Sequence, residues 1–258
     1  MTSTDRRPDS ITELSPSPVV ELRQYTLHPG KRDVLIDLFD REFIESQEEL
    51  GMTVIGQFRD VDDADRFVWL RGFHDMASRA QGLAAFYGGP VWKEHRAVAN
   101  STMIDSDNVL LLRPARLGSG FPRSAEPRPP RDSTGNGTGL VLATIYALDA
   151  PPDCDVVDDF SRRLTASLVD AGGALQALFV TEPSPNNYPT LPVREHENVF
   201  AWFAGFPDAA AGLRWSPDVA LEKTWADDPG LTGSPQRMRI IPTVRSGLTG
   251  ASPGCVAS

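Results

Sequence analysis

The sequence predicts an α+β protein in which two tandem ferredoxin-like βαββαβ units form one α+β barrel. The first observation is a repeat: RFVWLRGFHDMA, residues 66–77, returns as VFAWFAGFPDAA from Val199, with six of the twelve residues identical. The second is a Pro-, Ser-, Gly- and charge-rich stretch, residues 116–138, which reads as a linker between halves of similar length. The third is a strand with large apolar residues on both faces, where Phe67, Trp69 and Phe73 alternate with Val68 and Leu70. A four-stranded sheet covered by helices on one side cannot leave such a second face in water. A similar sheet would cover it.

The elements follow in order. Residues 19–27, VVELRQYTL, form a strand that ends at the turn signal His28-Pro29-Gly30. In 31–50, Val34, Leu35, Leu38, Phe39 and Phe43 recur at helical spacing, and Gly51 is placed to end that helix. Strands at 52–59 and 66–73 are joined by an acidic turn, Asp60 to Asp63. A helical region from Asp75 to about Asn100 is broken at Tyr87-Gly88-Gly89-Pro90, and NVLLLRPA, residues 108–115, closes the unit.

The second half repeats the plan. LVLATIYAL, residues 140–148, sets Tyr146 under Tyr25; a helix from Asp153 to Ala171 follows, then strands at 174–181 and 198–206. A helix to about Trp225 and a strand at 237–244 complete it. The predicted organisation is therefore a disordered tail at 1–18, units at 19–115 and 139–245 joined by the linker, and a disordered tail at 246–258.

Composition narrows the function classes. The net charge is −10, from 35 acidic and 25 basic residues, and no basic stripe with interleaved aromatics occurs, so nucleic acid is an unsuitable partner. No apolar run is long enough to span a bilayer, and the N-terminal twin arginine has no apolar stretch after it. With only Cys154 and Cys255, a disulfide framework is not expected, and the expected location is cytoplasmic. His28, His74, His95 and His196 show no paired ligand spacing, and no phosphate or dinucleotide motif is present. The expectation is no metal and no cofactor.

Strand alternation sorts the candidate site residues. Glu21, Arg23, Tyr25 and Leu27 share one face, as do Phe67, Trp69, Arg71 and Phe73; the second half has Leu142, Thr144 and Ala204 where the first has Glu21, Arg23 and Arg71. Charges on a central strand are costly to bury unpaired. Arg23 and Arg71 are thus candidate binders of an anionic or enolate-like oxygen, with a Glu21–arginine bridge or reach to solvent as the alternatives. Tyr87, Trp92 and His95 lie around the helix break, where His95 or Tyr87 could move protons; a solvent-facing histidine is the plainer reading of His95. Tyr25, Gln57, Trp69, Trp92 and Asn108 are candidate pocket residues for a planar organic ligand. Asp75 and Asp208 are read as helix N-caps, which makes His74 a turn residue.

The runs VELRQYTLHPGKRDVLIDLF, GQFRD, RFVWLRGF, FYGGPVW and DNVLLLRP resemble the NIPSNAP family of the dimeric α+β barrel superfamily. From 139 to 245 only the skeleton and the AGFPD turn match, so that half resembles a degenerate second copy. The resemblance implies a barrel that two chains make elsewhere and two halves make here. Through the wider superfamily it implies cofactor-independent oxygenation, isomerisation or dehydration of a small aromatic or polyketide-like molecule in secondary metabolism, with a non-catalytic binding or interaction scaffold as the alternative. Homo-oligomerisation is left open.

Overall fold

A computed structural model of the chain describes residues 17–122, 127–227 and 230–251. Most of the predicted tails, 1–16 and 252–258, lies outside them. The strands are β1 (Val19–Leu27), β2 (Thr53–Asp60), β3 (Arg66–Phe73), β4 (Met103–Pro114), β5 (Leu140–Leu148), β6 (Ala174–Thr181), β7 (Asn198–Phe206) and β8 (Gln236–Pro242). They close into one barrel in the order β1-β3-β2-β8-β5-β7-β6-β4. Each half lays its strands down as fourth, first, third, second. The halves meet at two short antiparallel seams, Phe58↔Pro242 to Asp60↔Ile240 and Leu112↔Thr181 to Pro114↔Phe179. The cover that the two-faced strands require comes from within the chain.

The interior is filled by one face of each strand, among them Val20, Leu22, Val68, Leu70, Ile145 and Phe203. Two residues of this core come from segments read as linker and tail. Phe121 is 4% exposed and Leu248 is 3% exposed, and the Phe121 ring sits 5.1 Å from Phe179 and 5.0 Å from Phe203. A mostly polar segment can still anchor through one aromatic, since burying a phenylalanine contributes roughly 1.5–3 kcal/mol.

Helices cover the outer face. The predicted 31–50 helix is α1 (Arg32–Leu38), a π-helical turn (Phe39–Phe43) and α2 (Ile44–Glu48) in continuous sequence. Its buried side bears Leu35, Phe39 and Phe43, with Gln47 also buried. Gly51 takes a left-handed φ of 80°, as a helix-ending glycine does. The second helical region divides at the predicted break into α3 (Met76–Gly88) and α4 (Pro90–Thr102), with Pro90 in the first turn where its missing N–H costs nothing. Asp75 accepts from the Ser78 N–H at 2.7 Å and Asp208 from Ala210 at 2.9 Å, so both copies are capped as predicted. β4 starts at Met103, earlier than the predicted 108.

In the second half α5 (Cys154–Asp170) buries Val157, Phe160, Leu164 and Leu168. The single helix expected up to Trp225 is three short ones, α6 (Ala209–Arg214), α7 (Val219–Glu222) and α8 (Thr224–Asp227). Trp215 is extended, with ψ of 141°, and Pro217 cannot donate to a continuing helix. Among the described residues, no helix is long and apolar enough to cross a membrane.

Candidate functional site

Between the helices and the outer face of the first half lies a buried ionic cluster. β1 and β3 pair Glu21 opposite Arg71 and Arg23 opposite Trp69. The second half pairs Leu142 opposite Ala204 and Thr144 opposite Trp202, so the charged residues and their uncharged counterparts occupy the same register. Glu21 Oε2 accepts from Arg23 Nη1 at 2.8 Å and from Arg71 Nη2 at 2.6 Å, while Oε1 accepts from Arg79 Nε at 2.7 Å. Glu21, Arg71 and Arg79 are 0% exposed and Arg23 is 1% exposed.

Arg71 Nε also donates to Glu21 Oε2 at 3.2 Å, and further donors of the cluster go to neutral groups. Arg23 Nε donates to the Tyr25 hydroxyl at 2.9 Å, and Arg71 Nη1 donates to Gln47 Oε1 at 2.8 Å. Arg79 Nη1 donates to Asn186 Oδ1 at 3.0 Å and Asn187 Oδ1 at 2.8 Å, and Arg79 Nη2 is buried without a hydrogen-bond partner. The Arg71 guanidinium also lies 4.9 Å from the Trp69 ring centre. Burial alone would raise the Glu21 pKa, but the guanidiniums of Arg71, Arg23 and Arg79 overcome it and hold the carboxyl well below the usual range. Burial pushes the Tyr25 hydroxyl up, which keeps its proton on.

Beside the cluster is an aromatic slot of about 30 Å³ lined by Tyr25, Phe39, Phe43, Gln47, Trp69, Phe86, Tyr87 and Trp92, among others. Tyr87 and Trp92 flank the break between α3 and α4 and pack edge to face at 4.9 Å. The slot admits a water-sized molecule as it stands. A planar ligand requires these two rings to swing outward.

The predicted residues fall into groups. Arg23, Arg71, Tyr25, Trp69, Tyr87 and Trp92 come together at the cluster and slot. His95 does not: its Nε2 is 3.8 Å from Glu42 Oε2 and its ring lies edge-on to Phe43, a ring that itself lines the slot. Gln57 is fully buried next to Trp69 in the sheet register, with both side-chain polar atoms unpartnered, outside the slot lining. Asn108 pairs with Gln24 and accepts from Arg194 at 3.2 Å, so it belongs to the loop contacts below. His74 is a turn residue, 84% exposed at its side chain.

Sequence reading missed Arg79, Gln47 and the reach of the long loop 182–197 into the first half. Arg79, Leu83 and Phe86 are spaced as one helix face, and all three are buried, so a charge in an apolar stripe was the available signal for Arg79. The loop between β6 and β7 crosses from the second half. Tyr188 stacks on Tyr87 at 6.3 Å, Leu191 packs on the first half's outer core, and Asn186 and Asn187 meet Arg79.

A larger cavity of about 570 Å³ lies at the barrel end, with Val20, Ile55, Phe121 and Leu248 in its lining. Its guanidiniums are engaged by Glu45, Glu48 and backbone carbonyls, and no predicted site residue lines it. The slot itself is lined by aromatic, apolar and amide side chains, and the Glu21 cluster lies behind Tyr25, Gln47 and Trp69. Among the described residues, no group of three or more His, Cys, Asp or Glu is placed to hold a metal ion.

An eight-stranded antiparallel barrel with helices outside and an ionic site in one half defines a single-chain α+β barrel protein. Residues 20–117 match the NIPSNAP family model. A protein of Fusobacterium nucleatum subsp. nucleatum ATCC 25586, provisionally named a monooxygenase, is similar over 88% of this chain and 92% of its own, with 10% identity and a TM-score of 0.52. That likeness is one of fold alone. An uncharacterized NIPSNAP-like domain protein from Burkholderia xenovorans is 27% identical over 43% of this chain and 90% of its own, with a TM-score of 0.34. A protein described as anthrone oxidase-like is 12% identical over 90% of this chain and 96% of its own, with a TM-score of 0.48. No curated protein matches the chain.

Proposed function

We propose that the first half binds a small planar aromatic or polyketide-like molecule in the slot between helices and sheet, with an anionic or enolate oxygen turned toward Arg23 and Arg71. In this reading the chain is two ferredoxin-like units in tandem. The second has lost its charged residues and serves to close the barrel. The observation that carries it is the contrast in one register: Glu21 opposite Arg71, buried with two further arginines, against Leu142 opposite Ala204. A merely structural pairing needs one arginine for one glutamate, and this cluster has three.

If the site is catalytic, the chemistry it suits is cofactor-independent oxygenation, isomerisation or dehydration. Fixed guanidiniums in a dry site stabilise charge as it develops on a substrate oxygen. Tyr87, on the slot wall, is the better placed of the two proton-transfer candidates, because His95 stands behind Phe43. The second reading is a non-catalytic binding or interaction scaffold, and the small volume of the slot is the observation in its favour.

The test compares mirrored positions. Calorimetric titration with 2-naphthoate should give saturable binding that Arg71→Lys weakens about tenfold or more, because the ammonium cannot reproduce the two-pronged donor geometry. Ala204→Ser should leave binding unchanged. Both variants are first shown to be folded by thermal melting. Equal weakening by the two would remove the site from the first half.

A further inference from the structure

The three arginines carry three positive charges, and among the described residues Glu21 is the one carboxylate ion-paired with them, which leaves a net charge of +2. All four side chains are at most 1% exposed, so water screens little of it. Neutral oxygens of Tyr25, Gln47, Asn186 and Asn187 accept the other donors, and none of them brings a negative charge. Arg79 Nη2 has no acceptor at all. Buried charges in proteins are matched or held at a cost of several kcal/mol. A cluster that the second half replaces by Leu142, Thr144 and Ala204 is one the fold does not need, so its imbalance calls for a ligand.

We propose that the first-half site is charged for a dianion: a planar aromatic molecule bearing two ionised oxygen groups, such as two carboxylates or a carboxylate and an enolate. This rests on the aromatic-ligand reading above and adds the ligand's charge. The ring occupies the slot once Tyr87 and Trp92 swing aside, and the two anionic groups face Arg71 and Arg23 across Gln47 and Tyr25. Arg79, held by Asn186 and Asn187 from the loop, supplies the third positive charge from the helix side. The loop of the second half is thereby part of the first half's site.

The charge imbalance can be tested without a ligand. Gln47→Glu places a carboxylate next to Arg71 in the slot, and Gln57→Glu makes the same change at a buried glutamine that none of the three arginines hydrogen-bonds. We expect Gln47→Glu to melt at or above the wild-type temperature at pH 7.5 and Gln57→Glu to melt well below it. The expectation for Gln47 is strict, because the change also removes its Nε2 bond to the Phe43 carbonyl. A fall in Gln47→Glu as large as that in Gln57→Glu would overturn the proposal.

The ligand class is tested with phthalate, benzoate and dimethyl phthalate by calorimetric titration of the full chain. Phthalate should bind at least about tenfold tighter than benzoate, and dimethyl phthalate most weakly. Gln47→Glu should cost phthalate about tenfold or more and leave dimethyl phthalate unaffected. Dimethyl phthalate binding as tightly as phthalate would overturn the dianion and leave the aromatic site standing. Binding by none of the three would overturn the aromatic reading and with it this ligand class, while the melting pair would still report the unbalanced charge.

Discussion

Removing the Glu21 charge should be far more damaging than removing the whole cluster. Glu21→Gln keeps shape and volume but leaves three guanidiniums, none more than 1% exposed, with no anion. Breaking one buried ion pair costs about 3–5 kcal/mol, and here a single substitution breaks three, so about 5 kcal/mol is a floor. For a chain of this size each kcal/mol lowers the melting temperature by roughly 2–4 °C, which gives a drop of about 10–20 °C. The combined variant Glu21→Leu, Arg23→Met, Arg71→Met and Arg79→Met replaces every charge by an apolar side chain. It should melt within a few degrees of wild type or higher, as apolar replacements of buried ionic groups do. The second half gives the precedent, since Leu142 and Ala204 hold the same strand register without charge. Thermal melts followed by circular dichroism, with urea titration as the equilibrium check, read both. The reasoning is refuted if Glu21→Gln melts within about 3 °C of wild type, or if the combined variant is the less stable of the two.

Asp40 gives a pH prediction. It is 4% exposed, Oδ1 lacks a hydrogen-bond partner, and burial pushes its pKa up to about 6 from the ordinary 3.8. A raised folded-state pKa means that the group favours folding most below about pH 3.8 and that this contribution is lost as pH rises through about 6. Asp40→Asn should therefore stabilise the protein by about 3 kcal/mol at pH 7.5 and by little at pH 4, and melts at the two pH values will show it. For the loop, Tyr188→Ala should loosen the wall formed by Tyr87 and Trp92. Hydrogen exchange should rise at the end of α3, near Tyr87, and stay unchanged in α5.

Much of this was legible in the sequence because strand alternation is rigid. The alignment of Tyr25 with Tyr146 predicted which side chains share a face, and the register then sets Glu21 against Arg71 and Leu142 against Ala204. Helix residues were harder. Arg79 and Gln47 occupy stripe positions that also suit a half-exposed side chain, and only the packed helix shows them buried. Phe121 and Leu248 were hidden by their surroundings, because composition averages over a window and a single anchor does not move the average. The reach of Asn186 and Tyr188 into the other half depends on how the two sheets close, which no local pattern contains. His95 was put forward from its place on the helix after the break and Asn108 as a polar pocket residue; His95 lies edge-on to Phe43 and Asn108 accepts from Arg194.

The lengths of two equivalent connections say something about why one chain makes this barrel. β2 and β3 are joined by residues 61–65, whereas β6 and β7 are joined by residues 182–197. In a barrel of two identical chains, a loop lengthened to cover one site lengthens over the other as well, and any change is made twice. Covalent joining removes that symmetry. One half can then carry the buried charges and a short connection while the other carries none at those register positions and has the arm that reaches across. A homodimer rebuilt from residues 17–115 alone would have two ionic clusters and no arm for either, so the second half supplies contacts to the first half's cluster as well as the other wall of the barrel.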